Sequence, residues 1–189
     1  MSYQSFEQVL QKCHTEEKEF WQVILEDDMA ERNVSLQESM EHMRATWDAM
    51  LLAAATYEGN LNSSSGLVGG DGRRMEEYIH SAVTASLCGE FVATGIAGAL
   101  QMGESNACMK RIVAAPTAGA CGVLPAVLVP YFQKRCRNTD KILKAMYVAA
   151  GIGQIIATRS SISGAAGGCQ AEIASASSIA DGALTYLQG

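Results

Sequence analysis

Apolar side chains recur every three or four positions along the first 58 residues, which is the spacing of one face of an α-helix. The positions are Phe6, Val9, Leu10, Phe20, Val23 and Ile24, followed by Leu36, Met40, Met43, Trp47, Met50 and Leu51. The stretch Ser35–Glu38 has the capping-box sequence that opens a helix, and Gly59 is placed to end it. We therefore predict helices over this region, with the charged residues on a solvated outer face.

The rest of the chain alternates between apolar segments and three segments rich in glycine, serine and threonine that lack an apolar period. These loops cover residues 60–74, 114–122 and 159–168. Helices are predicted from about Met75 to Met102, from a cap at Asn138 or Thr139 over residues 140–158, and from Cys169 or Gln170 toward Leu187. Pro125 suits an early helical position, and Pro130 would kink the helix that holds it.

No strand alternation is visible anywhere in the sequence. The predicted fold class is therefore all-α. We expect one helical-bundle domain over residues 1–189, with the three loops forming a pocket.

Charged side chains are unevenly distributed along the chain. Residues 1–58 hold 12 acidic and 4 basic side chains, a net charge of −8, whereas residues 59–189 hold 8 acidic and 10 basic ones, a net charge of +2. Because no basic stripe offsets the acidic half, we expect no nucleic-acid partner. The longest uncharged stretch, Ile112–Gln133, is broken by all three prolines of the chain, and no signal peptide is visible. We therefore expect a soluble, cytoplasmic protein with no membrane partner.

The glycine-rich loops have the composition of anion-binding loops. Such loops expose backbone N–H groups, and a helix that follows adds positive potential, so phosphate or carboxylate would suit them. They could equally be ordinary turns between helices. The segment GLVGGDG, residues 66–72, lacks the lysine of a Walker loop and follows no strand, so neither a Walker nor a dinucleotide fold is favoured. Asp71 is either a helix N-cap or a ligand contact, and Thr117 bonds either substrate or backbone.

One of the six cysteines differs from the others in its surroundings. In a chain with no CxxC pair and no export signal, cysteines are expected to be reduced and mostly buried. Cys169, however, follows Gly167 and Gly168 at a predicted helix start, a position that lowers a thiol pKa and suits soft metals and iron–sulfur clusters. The two glycines leave room for a bulky group. Glu172 is then either an acceptor behind that group or a helix-start charge.

Three segments resemble one enzyme family. They are NSSSGLVGGDG (62–72), APTAGACGVLPAVL (115–128) and SISGAAGGCQAEIASAS (161–177), and they look like the α chain of iron–sulfur-dependent L-serine dehydratase. The resemblance implies deamination of L-serine to pyruvate and ammonia, without pyridoxal phosphate. It also implies a β chain or β domain as partner, in a homo-oligomer or an α/β hetero-oligomer.

The resemblance further implies a [4Fe–4S] cluster and a set of site residues. Three cysteines hold the cluster in the family, the first of them at the position of Cys169, and an open iron acts as a Lewis acid on the substrate. The loops would form the substrate pocket. The substrate-binding residues implied in this way are Ser63, Ser64, Ser65, Gly69, Gly70, Asp71, Thr117, Gly119 and Ser163. The general base is left unassigned.

Two departures from the family pattern set the remaining expectations. The family's other two cluster cysteines flank a downstream segment that this sequence does not show, and Ala166 replaces a glutamate. We therefore expect the N-terminal part of an α chain, inactive by itself, from a fragment or from a split or degenerate gene. The alternative is a non-catalytic helical module for assembly or small-molecule binding. A third reading is a binder of phosphorylated ligands through the GGDG loop.

Overall fold

The computed structural model describes residues 3–81 and 87–189, and these residues form eight α-helices and no strand. The helices are α1 (Phe6–Glu16), α2 (Phe20–Arg32), α3 (Leu36–Ala55), α4 (Asp71–His80), α5 (Gly89–Ala107), α6 (Val123–Tyr131), α7 (Thr139–Arg159) and α8 (Gly164–Gln188). The all-α prediction is confirmed. No helix among the described residues has the length and hydropathy needed to cross a bilayer.

The chain divides into two compact units. The terminal unit consists of Met1–Trp47 and Asn138–Gly189, and the central unit is Asp48–Arg137. The boundary between the units falls within α3. The assignment of a single domain stays a prediction.

The core of the terminal unit is built around α7, which packs against α2 and α8. Its buried members are Val9, Val23, Ile24, Leu25, Tyr147 and Ile155. Small residues in α7 and α8 let the helices approach closely. A Cβ atom on Gly151 would lie 2.5 Å from the side chain of Ile24, and one on Gly182 would collide with Ile152. A larger residue at either crossing would therefore force the facing isoleucine to move.

Caps predicted from the sequence fix the ends of two helices in this unit. The capping box at α3 is confirmed: the Ser35 N–H donates to the Glu38 carboxylate at 2.8 Å, and the Glu38 N–H donates to Ser35 Oγ at 3.3 Å. Asn138 is confirmed as the cap of α7, since its side chain accepts from the Lys141 N–H at 3.1 Å.

A buried chain of polar groups joins α2, α3 and α7. Ser39 Oγ donates to the Asp28 carboxylate at 2.5 Å and lies 2.6 Å from the Tyr147 hydroxyl. Burial raises the pKa of Tyr147, so the phenol stays protonated at neutral pH. Since Ser39 gives its proton to Asp28, the Tyr147 hydroxyl is the donor to Ser39.

Removal of the Tyr147 hydroxyl is expected to weaken the terminal unit. Tyr147→Phe deletes one buried hydrogen bond while keeping the ring, so the free energy of unfolding should fall by about 1 kcal/mol. Urea unfolding followed by circular dichroism measures this change. Tyr78→Phe is the control, because the Tyr78 side chain is 41% exposed. Equal stability of the Tyr147→Phe protein and the unsubstituted protein would contradict the assignment.

The central unit is organised around α5, which packs against α4 and α6. Ala53, Met102 and Cys121 form its buried cluster. Pro125 lies in the first turn of α6, as predicted, and a π-helical turn over Phe132–Cys136 follows Pro130. The predicted disturbance at Pro130 therefore takes the form of a wider helical turn.

The prediction of one helix from Met75 to Met102 is wrong. Helix α4 already begins at Asp71 and ends at His80, after which Ser81 has an extended backbone (φ −68°, ψ 125°). A second helix, α5, begins at Gly89, whose φ is +75°. Residues 82–86 of the predicted helix lie outside the described residues.

Candidate active site

The serine-rich loop before α4 is closed by its own side chains. The Ser63 N–H donates to the Val68 carbonyl at 2.8 Å, and Ser63 Oγ accepts from the Val68 N–H at 3.1 Å. Ser63 Oγ also lies 3.1 Å from Ser65 Oγ. These two predicted substrate hydroxyls therefore shape the loop. Ser64, between them, is exposed, and its hydroxyl makes no hydrogen bond within the described residues.

Glycines at the end of this loop are needed for the tight entry into α4. A Cβ atom on Gly69 would collide with the Leu61 carbonyl oxygen, and backbone atoms cannot relieve such a clash by a rotamer change. Gly70 is the N-cap of α4 with φ at +82°, a conformation that glycine adopts without strain. Asp71 is the first helical residue rather than the cap, and its carboxylate pairs with Arg74.

The N–H groups at the start of α4 already bind a carboxylate of the protein itself. Glu104 Oε1 accepts from the Asp71 N–H at 2.5 Å and from the Gly72 N–H at 3.1 Å. The anion-binding geometry expected of the loop is therefore present, but Glu104 fills it. This observation disfavours the GGDG loop as a site for phosphorylated ligands.

Glu104 is a buried carboxylate with three donors. Its side chain comes from α5, the residue is 2% exposed, and Oε2 accepts from the Tyr57 hydroxyl at 2.5 Å. Burial, followed by the hydrogen bond to Glu104, raises the pKa of Tyr57 to about 12. Tyr57 therefore stays protonated and donates at neutral pH. Glu104 was not among the site residues predicted from the sequence, although it is the only charged residue between Glu90 and Lys110.

The APTAG loop is fastened to the same turn of α5. Asn106 Nδ2 donates to the Ala118 carbonyl at 2.9 Å, and inside the loop the Ala120 N–H donates to Thr117 Oγ1 at 3.3 Å. The hydroxyl of Thr117 thus bonds backbone, one of the two roles considered for it. Gly119 lies exposed between these contacts. Glu104 and Asn106 therefore bring two of the three predicted loops to one end of α5.

The third loop belongs to the terminal unit and leads into a broken helix. Ser163 is the N-cap of α8, and the helix is interrupted at Gly168, where φ is +82° and ψ is 163°. The final helical segment therefore restarts at Cys169, which agrees with the prediction. The convergence of all three loops on one pocket stays a prediction.

The two glycines before Cys169 have different environments. A Cβ atom on Gly168 would meet nothing within 4 Å, whereas one on Gly167 would lie 2.9 Å from Ala171 Cβ and 3.1 Å from Ser161 Cβ. Only Gly168 therefore borders open space. Glu172 Oε2 would lie 2.7 Å from a Cβ atom on Gly164, which places its carboxylate across the break in the helix.

The cysteines do not form a cluster site by themselves. Cys169 is exposed, and Cys121 is buried with its thiol pKa raised by that burial. Over residues 3–81 and 87–189, no three histidine, cysteine or acidic side chains are grouped so that they could hold a metal ion. These residues therefore do not fit a [4Fe–4S] cluster on their own, beyond the single thiol of Cys169.

A cavity of about 290 Å³ lies beside the Glu104 network in the central unit. Tyr57, Gln101 and Glu76 line its wall, and Gln101 Nε2 donates to Glu76 Oε2 at 3.1 Å. Its size suits a small organic molecule. None of the predicted site residues lines this cavity, so the cavity is separate from the loops.

Comparison with known proteins identifies the family. The model of the serine dehydratase alpha chain matches residues 15–189. The chain belongs to the serine dehydratase alpha-chain family. This membership confirms the resemblance seen in the three loops.

Two members of the serine dehydratase family match most of this chain but a smaller share of their own length. A probable L-serine dehydratase alpha chain of Bacillus subtilis is 33% identical over 173 residues, which is 89% of this chain and 57% of the relative. The L-serine dehydratase alpha chain of Peptoniphilus asaccharolyticus is 33% identical over 186 residues, which is 96% of this chain and 62% of the relative. The chain thus spans about three fifths of these two relatives. No solved structure gives a significant match.

Other relatives are longer dehydratases, and they match a shorter part of this chain. The L-serine dehydratase TdcG of Escherichia coli is 46% identical over 92 residues, which is 48% of this chain but 20% of that protein. The higher identity is confined to half of the chain.

Proposed function

We propose that this chain is the catalytic α part of an L-serine dehydratase, which converts L-serine to pyruvate and ammonia. Membership of the serine dehydratase alpha-chain family carries the proposal. The attachment of two predicted substrate loops to one turn of α5, through Glu104 and Asn106, supports it. The partner is a β chain or β domain, in keeping with the name of the matched family.

In this proposal, some residues of the loops shape the binding site and others contact the substrate. Ser63 and Ser65 hold the shape of their loop, and the exposed Ser64 hydroxyl is the donor offered to the substrate carboxylate. The APTAG loop offers the exposed backbone around Gly119. Short polar groups of this kind fix the orientation of a small polar ligand.

We further propose that Cys169 supplies one thiolate ligand to a [4Fe–4S] cluster. Cys169 is exposed at the start of a helical segment, beside the open space at Gly168, and cysteine thiolates are the usual ligands of iron–sulfur clusters. Ligands from outside the described residues would complete the site. The isolated 189-residue chain is then inactive, and no step of the reaction is assigned to it alone.

Pyruvate formation tests the proposed function. The chain is reconstituted anaerobically with iron and sulfide, alone and together with a β chain, and pyruvate is followed after L-serine is added. Activity in the complex and none in the chain alone is the expected result. Ser64→Ala should raise the KM for L-serine about tenfold, since it removes one hydrogen bond to a charged group. A complex with an intact cluster and no turnover of L-serine would refute the proposal.

Two observations favour a second function. The described residues group no three metal-ligating side chains, and Ala166 departs from the family pattern. A non-catalytic helical module that binds a partner or a small molecule would need no cluster. Binding of L-serine without turnover, in a complex that never takes up iron, would favour this alternative.

A further inference from the structure

We propose that Glu104 is a positioning residue: it fixes the position of the serine-rich loop relative to the APTAG loop. This inference rests on the proposed function. The two loops are far apart in sequence, within residues 60–74 and 114–122. Both are fastened to the last turn of α5, one by Glu104 and the other by Asn106. Loss of either contact would therefore let one loop move relative to the other.

The negative charge of Glu104 is favourable at the N-terminus of α4 and unfavourable at the C-terminus of α5. It lies near the C-terminus of α5, where a negative charge is unfavourable, and faces the N-terminus of α4, where it is favourable. A buried carboxylate in this place is stable only while its donors are present. The contact to α4 therefore has to be kept in the folded protein.

Two backbone amides report this contact directly. The N–H groups of Asp71 and Gly72 belong to the first turn of α4, where no helical carbonyl is available to them. Glu104 Oε1 is the acceptor for both. Their hydrogen exchange therefore measures the contact without any need for catalysis.

Packing around Gly72 tightens the same junction. A Cβ atom on Gly72 would lie 2.6 Å from Gln101 Cγ and 3.0 Å from the Tyr57 hydroxyl oxygen. Helix α5 and Tyr57 are thus in close contact with the start of α4.

The test compares Glu104→Ala, Glu104→Gln and Met102→Ala in the reconstituted complex. In Glu104→Ala, exchange at Asp71 and Gly72 should accelerate about tenfold or more, and the KM for L-serine should rise about tenfold. Glu104→Gln should stay within about threefold of the unsubstituted protein on both measures, because its amide oxygen still accepts from the two N–H groups. Met102→Ala, a buried control on α5, should lower the unfolding temperature without either change.

Several results would overturn the proposal. Unchanged exchange in Glu104→Ala would do so, and so would identical behaviour of Glu104→Ala and Met102→Ala. If Glu104→Ala does not fold, Tyr57→Phe replaces it, since the loss of the donor to Oε2 should accelerate exchange at the two amides about threefold; unchanged exchange there also refutes the proposal. If the unsubstituted complex does not turn over L-serine, the proposed function fails, and the exchange measurement still decides the role of Glu104.

Discussion

Cys169→Ser is expected to abolish both the iron–sulfur absorption and the formation of pyruvate. Serine keeps the size of the side chain, but its hydroxyl is not a thiolate, and thiolates are the usual ligands of iron–sulfur clusters. Cys169 is exposed at the restart of α8, so the substitution should leave the fold intact. Anaerobic reconstitution with the β chain, followed by visible absorption, iron content and pyruvate assay, measures the loss. We expect a fall of at least about 100-fold in kcat/KM, the scale on which loss of a correctly placed reacting group acts.

Cys88→Ser is the matched control for this experiment. Cys88 is the other exposed cysteine of the described residues, and it lies directly before α5. The Cys88→Ser protein should keep full iron content and activity. A cluster that forms equally well in Cys169→Ser and in the unsubstituted complex would remove Cys169 from the ligand set. Loss of the cluster in both variants would point to general damage to the thiols and away from a specific ligand.

Helices were largely predictable from the sequence because their signals are local. The capping box Ser35–Glu38 and the cap at Asn138 each involve residues three positions apart, so a short window of sequence contains the whole interaction. The sequence around Ser81 contains neither proline nor glycine to mark the end of α4, although the polar α4 and the apolar α5 differ in composition. The restart of the last helix at Cys169 was found because glycine precedes it, and the structure gives the reason in the backbone angles of Gly168.

The candidate site was harder to predict because its contacts are long-range. Glu104 bonds groups 32, 33 and 47 positions away, so no spacing rule reveals it. Its one visible signal was its isolation among uncharged residues of an apolar helix, since an acidic residue in a buried position needs partners. The roles of Ser63 and Ser64 also required coordinates, because neighbouring serines of identical chemistry face different surroundings.

Gly168→Ala is expected to have the second large effect, through the backbone. With φ at +82° and ψ at 163°, Gly168 occupies a region that is almost exclusive to glycine, and another residue there costs about 1–3 kcal/mol. A Cβ atom at this position would meet nothing within 4 Å, so the penalty is conformational and not steric. The chain would relieve it by changing the break in α8, which moves Cys169. A displacement of about 1 Å at a reacting group can cost on the order of 100-fold in rate.

Gly103→Ala separates this effect from a general response to added methyl groups. Gly103 lies within α5 and has open space for a Cβ atom, so alanine there should raise the free energy of unfolding by up to about 1 kcal/mol and leave activity unchanged. Gly168→Ala should instead lower the unfolding temperature and the iron content together, because the same backbone angles set both the stability of α8 and the position of Cys169. Retained iron and activity in a destabilised Gly168→Ala protein would mean that the position of Cys169 does not depend on the break. The position of the Cys169 thiol would then be set by the packing of the second part of α8, where Ser175 and Ala176 are buried.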